Sequence, residues 1–260
     1  MRLAKAFARA RAEARGALIT YLMAGDPSLD ASLDSALACI RGGADIVELG
    51  FPFSDPIADG PVIQRAAERA LAAGVTLSSV LELAGRLRAQ APETPIVLMG
   101  YLNPVLAMGV ERFFTAASRC GVDGVILPDL PPEEAEELRV HAQRTGLSMI
   151  AMLAPTSTGE RRASVLSVAS GFTYFVSVTG VTGTGARSEQ ADIAAPLKAI
   201  RAESSVPVVV GFGIGTPDQA RAAVQHADGV VVGSAIVERI SRRDPLEPFI
   251  ASLRAALSRT

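Results

Sequence analysis

Eight short apolar runs, each followed by a stretch with helical spacing, recur along the 260 residues. This alternation limits the possible folds more than any other feature of the chain. The runs cover residues 18–24, 46–51, 96–101, 124–129, 149–154, 172–178, 206–212 and 230–233. Strictly alternating strand and helix units predict a parallel sheet with helices outside it. Eight units in a chain of this length fit a (β/α)8 barrel, the TIM-barrel fold, better than an open doubly wound sheet. The doubly wound alternative wants a glycine-rich turn after its first strand, and Ala24-Gly25-Asp26-Pro27 stands there instead.

The helical segments carry their own punctuation. Leu29, Leu33, Leu37 and Ile40 form a stripe that Gly42-Gly43 closes. Pro131-Pro132-Glu133-Glu134 and Thr216-Pro217-Asp218 read as helix starts, with acidic residues in the first turn. Two additions to the barrel are expected. One is an N-terminal helix, in which Leu3 and Phe7 lie one turn apart and Gly16 marks the end. The other is an extra helix after strand two, where 62–73 and 77–90 both have helical patterns. No linker or low-complexity tract interrupts the series, so one domain over 1–260 is expected.

Composition narrows the function classes. Net charge is −2, which suggests neither a nucleic-acid footprint nor a membrane-surface patch. No apolar run approaches the ~18 residues of a membrane span. Cys39 and Cys120 read as reduced core thiols, in keeping with a cytoplasmic protein.

Strand two is unusual because it carries an acid. Alternation puts Ile46, Glu48 and Gly50 on the barrel interior and Val47 and Leu49 toward the helices. An acid inside so apolar a strand is either half of a structural ion pair or a catalytic acid or base. The loop that follows, Pro52 to Pro61, is long and ends near a second acid, Asp59. Barrel active sites sit at the C-terminal ends of the strands. Two carboxyl groups on that rim, one buried and one on a loop, can divide acid and base roles. Asp129 and Asp26 also lie at strand ends, where a capping role competes with a chemical one. A second long loop, 179–189, has the glycine and threonine content of a lid.

Other catalytic sets are missing. His141 and His226 lie in helical patterns, no metal-ligand spacing occurs, and the two lysines, Lys5 and Lys198, look helical. Gly211-Phe212-Gly213-Ile214-Gly215 after strand seven and Gly233-Ser234-Ala235 after strand eight suggest a phosphate site built on backbone N–H groups. Between that rim and Glu48, the inward residues Met99, Tyr101, Tyr174 and Phe212 line a flat apolar pocket or simply pack the core.

Across nearly its whole length the chain resembles the tryptophan synthase α chain family. The likeness is densest in the run from Leu49-Gly50-Phe51-Pro52-Phe53-Ser54-Asp55 through Pro56-Ile57-Ala58-Asp59-Gly60-Pro61. Gly25-Asp26-Pro27, Gly180-Val181-Thr182-Gly183, Gly211-Phe212-Gly213-Ile214 and Gly233-Ser234-Ala235-Ile236-Val237 support it in order. The resemblance implies cleavage of indole-3-glycerol phosphate to indole and glyceraldehyde 3-phosphate, with Glu48 and Asp59 as the catalytic carboxyl groups. It puts Tyr174 near the reacting centre and Gly183, Gly213, Gly233 and Ser234 on the phosphate. Tyr21 stands where the family commonly has phenylalanine, a change to the indole pocket. The resemblance also implies an α2β2 complex with a β chain that carries pyridoxal phosphate, none being bound by this chain. Pro52 and Asp55 would face that partner, and Asp55 would pair with Thr182 when the lid closes. The alternatives are a stand-alone lyase on the same substrate, another phosphate-binding barrel such as a sugar-phosphate isomerase, and a silent subunit that only activates a partner.

Overall fold

The computed structural model describes residues 1–157, 159–176, 194–211 and 213–259. Among these, nine strands form one parallel sheet: β1 (Ala17–Met23), β2 (Ile46–Gly50), β3 (Ile96–Met99), β4 (Gly124–Ile126), β5 (Ser148–Met149), β6 (Ala151–Leu153), β7 (Thr173–Val176), β8 (Val208–Gly211) and β9 (Gly229–Val232). They pair in the order β5-β4-β3-β2-β1-β9-β8-β7-β6. Only Ile150 separates β5 from β6 in the chain, so the sheet is a nearly closed (β/α)8 barrel. The fifth predicted strand is therefore two. Its first half pairs with β4 and its second half with β7, and the change of partner falls at Ile150.

Among the described residues twelve helices pack around the sheet: α1 (Arg2–Ala12), α2 (Leu29–Arg41), α3 (Pro61–Ala72), α4 (Leu77–Gln90), α5 (Leu102–Met108), α6 (Val110–Arg119), α7 (Glu136–Thr145), α8 (Gly159–Val168), α9 (Ala194–Glu203), α10 (Pro217–Val224), α11 (Ser234–Arg242) and α12 (Glu247–Ala255). Helices outside and side chains inside bury β1, β2, β8 and β9 on both faces, which is why these strands read as continuous apolar runs. The cap expected at α10 forms, with Thr216 and Gln219 making a reciprocal capping box, and Ser28 caps α2 by accepting from the Ala31 N–H. Pro131 and Pro132 start a single 3₁₀ turn rather than a full helix, and α7 begins at Glu136. β4 stops at Ile126, two residues before Pro128, which has no N–H to continue the ladder.

The N-terminal helix closes the bottom of the barrel. Leu3, Ala6, Phe7 and Ala10 form its buried stripe, and the Phe7 ring meets Phe172 at 5.7 Å between centroids. The helix ends at Ala12, short of Gly16, because the chain must turn there to bring Arg15 inward. Arg15 is 3% exposed.

Arg15 belongs to a device used three times on this face. Asp45, Asp123 and Asp228 each precede a strand (β2, β4 and β9) and each ties it to the neighbouring strand twice. Their N–H groups donate to the carbonyls of Leu18, Ile96 and Val208 at 2.8, 2.8 and 2.7 Å. Their carboxylates accept the N–H groups of those same three residues, each at 2.9 Å. Arginines complete each clasp. Arg15 grips Asp45 through two nitrogens at 2.5 and 2.8 Å, with Arg9 adding a third contact. Arg88 and Arg2 meet Asp123, and Arg201 meets Asp228. In TIM barrels this face serves stability and the opposite face serves chemistry.

No single described helix is long and apolar enough to cross a membrane. α3 and α4 pass that test only together and are bent by 100°.

Burial ranks the clasps. In Asp45–Arg15 both side chains are nearly inaccessible, whereas Arg201 opposite Asp228 is 38% exposed. Removing one partner of a buried pair costs about 3–5 kcal/mol, against about 1 kcal/mol or less for an exposed one. Asp45→Asn is thus expected to lower the urea midpoint far more than Asp228→Asn. Equal losses in the two variants would contradict this ranking.

Candidate active site

Glu48 lies beside Tyr21 of β1 on one side and Val97 of β3 on the other. It is 0% exposed, and both of its carboxyl oxygens are buried without a hydrogen-bond partner. Burial, and secondarily the charge of Asp59, pushes its pKa up to about 8. At neutral pH it is a neutral acid holding a proton.

Asp59 ends the loop after β2. Its N–H donates to the Pro56 carbonyl at 3.1 Å, and its own carbonyl accepts from Gln64 Nε2 at 2.9 Å. Pro61 then opens α3, which Arg69 ties to buried Asp26 by two bonds of 2.8 and 2.7 Å. Asp26 is therefore a structural acid that anchors the helix carrying the loop's far end. Burial raises the Asp59 pKa to about 6, and a hydrogen bond from Tyr101 works against that rise. At neutral pH Asp59 is mostly ionised.

Both acids line a cavity of about 330 Å³ whose walls also include Tyr21, Met99 and Tyr174 and the glycine-rich set Gly213, Gly215, Gly233 and Ser234. A larger cavity of about 830 Å³ shares Asp59, Met99 and Tyr174 and extends past Leu127 and Leu153. The barrel mouth thus brings together Glu48, Asp59, Tyr21, Met99, Tyr174, Gly213, Gly233 and Ser234. α11 starts behind Gly233 with no side chain capping its first turn; the Ile236 N–H turns back to the Gly233 carbonyl at 2.8 Å, which leaves the Ser234 and Ala235 N–H groups for an anion. Gly213 turns the chain at φ +72, a conformation that disfavours other residues. The Gly215 N–H instead donates to Gln219 Oε1 at 2.9 Å and serves the cap of α10.

Two aromatic rings shape the cavity by lying across glycines of neighbouring strands. A Cβ at Gly50 would collide with the Tyr21 hydroxyl, and one at Gly211 with the Tyr174 hydroxyl. Burial raises both phenols well above their ordinary pKa, so both keep their protons.

Several expected residues lie elsewhere. Tyr101 is 3% exposed and is absent from the described walls of both cavities. It packs under the loop, stacked on Phe53 with centroids 5.3 Å apart. Pro52 is buried, and Asp55 is exposed, with its carboxylate accepting from Ser54 at 2.6 Å. Asp129 holds the start of α5, accepting the Leu102 N–H at 3.0 and 3.1 Å. Thr182, Gly183, Phe212 and the lid segment 179–189 lie outside the described residues.

The cavities also hold residues that sequence reasoning missed. Leu127 and Leu153 widen the apolar side, and Glu238 lines the glycine-rich end. Helical spacing from Ser234 was the available signal for Glu238, one turn further along α11. Among the described residues no group of three or more His, Cys, Asp or Glu is arranged to hold a metal ion.

Comparison with known proteins shows which family the chain resembles and which folds it shares. The family model described as tryptophan synthase alpha chain matches residues 7–256. A protein of that name from Geobacter sulfurreducens is 51% identical over 262 residues, covering 98% of each chain. Another, from Laribacter hongkongensis, is 48% identical over 261 residues, again 98% of each. Among solved structures, Mycobacterium tuberculosis tryptophan synthase superposes with a TM-score of 0.92 at 38% identity, over 100% of this chain and 99% of that one. A tryptophan synthase alpha chain from Legionella pneumophila gives 0.86 at 38% identity, over 98% and 96%. With a family model spanning almost all its residues and relatives about half identical end to end, the chain belongs to the tryptophan synthase alpha chain family.

Proposed function

We propose that the barrel mouth performs the family's reaction, the retro-aldol cleavage of indole-3-glycerol phosphate, with Glu48 and Asp59 as its two catalytic groups. The observation that carries this reading is the orphaned carboxyl of Glu48, buried in a cavity wall with no partner for either oxygen. A fold keeps so unfavourable a group where it has a task.

The chemistry follows from the two environments. Glu48, protonated at neutral pH, donates to indole C3. The ring nitrogen becomes positive, and ionised Asp59 accepts its N–H hydrogen bond and stabilises the charge. The C3 side-chain bond then breaks. Its electrons return to the ring, and the Glu48 carboxylate takes the proton of the side-chain hydroxyl as that carbon becomes an aldehyde. Glu48 ends as it began, protonated. At the other end the open N–H groups of α11, with Ser234, Gly233 and Gly213, hold the phosphate. Tyr21, Met99 and Tyr174 flank the indole.

A partner fits the same rim. Ile57, on the loop carrying Asp59, is 86% exposed, and Leu106 on α5 is 52% exposed. These apolar side chains support docking of the family's β chain, in an α2β2 assembly with Pro52 and Asp55 near the contact. Pyridoxal phosphate belongs to that partner in this reading. A Schiff base needs a lysine, and both lysines of this chain are exposed on α1 and α9. One barrel domain and a cytoplasmic location complete the proposal.

Three experiments test this reading, the first on a Glu48 variant. Glu48→Gln should abolish indole release, assayed with and without added β chain, while circular dichroism stays native. The same variant should be more stable than the parent at pH 8 and above by a few kcal/mol. The sign follows from the raised folded-state pKa: the native state holds the Glu48 proton between about 4.5 and 8 while the unfolded chain releases it. Stability from that proton is complete below about 4.5 and lost as pH rises through about 8, and the variant escapes the loss. Wild-type turnover in Glu48→Gln would defeat the proposed role.

Second, kcat/KM against pH should be bell-shaped, rising as Asp59 ionises near 6 and falling as Glu48 ionises near 8. A profile flat from 5 to 9 would contradict both assignments. Third, Ser234→Asp puts a carboxylate at the anion end and should raise KM by about tenfold or more with a smaller effect on kcat. An unchanged KM would remove the phosphate from this end of the cavity.

A further inference from the structure

Tyr101 stands between the loop after β2 and the barrel wall. It is the N-cap residue of α5, and the next residue, Leu102, is held by the Asp129 carboxylate. Its ring is therefore anchored from behind. Its front face stacks on Phe53, near the start of the loop, at 30° between planes. Its hydroxyl oxygen accepts the Ala58 N–H at 2.9 Å, next to the loop's end. One ring thus touches both halves of a loop that lacks regular structure across Phe51–Gly60.

A hydroxyl that has accepted one hydrogen bond still has its own proton to give. Its partner is the carboxylate of Asp59, the residue after Ala58, whose ionised form a hydrogen bond from the phenol favours.

We propose that Tyr101 is a positioning residue for Asp59, fixing the loop through the Ala58 N–H and aiming the Asp59 carboxylate by donating its hydroxyl proton to it. This rests on the reading of Asp59 as a catalytic group. The hydrogen bond is made to the ionised form of Asp59, so it favours that form over the protonated one. The other titratable groups around this pair are Glu48 on β2, Tyr21 on β1 and Tyr174 on β7, each of which feels the Asp59 charge, and Asp129 after β4, whose charge reaches Tyr101. Each of these is negative or neutral, so among them only Tyr101 favours an ionised Asp59.

The test is Tyr101→Phe in the full chain, which keeps the ring and the Phe53 stack and removes only the hydroxyl. The expected result is a loss of kcat/KM of about tenfold or more, with the acidic limb of the pH profile moved to higher pH. Affinity for glycerol 3-phosphate, which probes the anion end alone, should stay at the parent value. Asp59→Asn is made alongside, alone and combined with Tyr101→Phe. If Tyr101 acts through Asp59, the double variant is no worse than Asp59→Asn alone. An acidic limb that does not move, or losses that multiply in the double variant, would overturn the positioning role while an inactive Asp59→Asn upheld Asp59 itself. An active Asp59→Asn would overturn both.

Discussion

β2, β4 and β9 each begin behind an aspartate that ties the strand to its neighbour by backbone and by carboxylate together. Strand register follows from these ties, and the site follows from register. Side chains alternate faces with a period of two, so a slip of one residue would turn Glu48 out among the helices and Val47 inward. With the register held, Tyr21, Glu48, Met99, Tyr174 and Val231 meet at the mouth from five strands. The fastening lies at one end of the barrel and the chemistry at the other, so loops at the mouth are free to carry functional residues.

The site spends some of the stability that this scaffold supplies. An isolated ionised carboxyl in an apolar wall is so unfavourable that Glu48 keeps its proton at neutral pH instead. Asp59 differs because a phenol reaches it and it sits on a loop rather than inside a strand. The two carboxyl groups are chemically alike, and their surroundings alone set one as acid and the other as ion. A net stability of typically 5–15 kcal/mol leaves room for one such group in a domain, provided the remainder is well paired.

Most of the architecture was legible in the sequence because it rests on local periodicity. The alternation of strands and helices, the inward face of Glu48, the stripe of α1 and the cap of α10 all depend on residues within a few positions of one another. The split of the fifth strand was not legible, since it arises only when the barrel closes and one strand must serve two neighbours. The arginine clasps were half visible. Aspartates stand just before the apolar runs in Ala44-Asp45-Ile46, Val122-Asp123-Gly124 and Ala227-Asp228-Gly229, but Arg15 lies 30 positions from Asp45 and Arg88 35 from Asp123. Tyr101 illustrates the same limit. Its inward position after β3 suggested a pocket wall, and a contact across 43 residues with Ala58 puts it under the loop instead.

The rings lying over Gly50 and Gly211 bear on how this pocket can evolve. Each tyrosine occupies the volume that its partner glycine leaves open, so neither member of a pair can enlarge while the other stays. A methyl group at Gly50 becomes tolerable only after Tyr21 has shrunk, and shrinking Tyr21 first leaves an unfilled space. Routes to a differently shaped cavity therefore run through paired substitutions in a preferred order, small ring before larger floor. Lineages that exchange one aromatic here should carry a matching change on the adjacent strand.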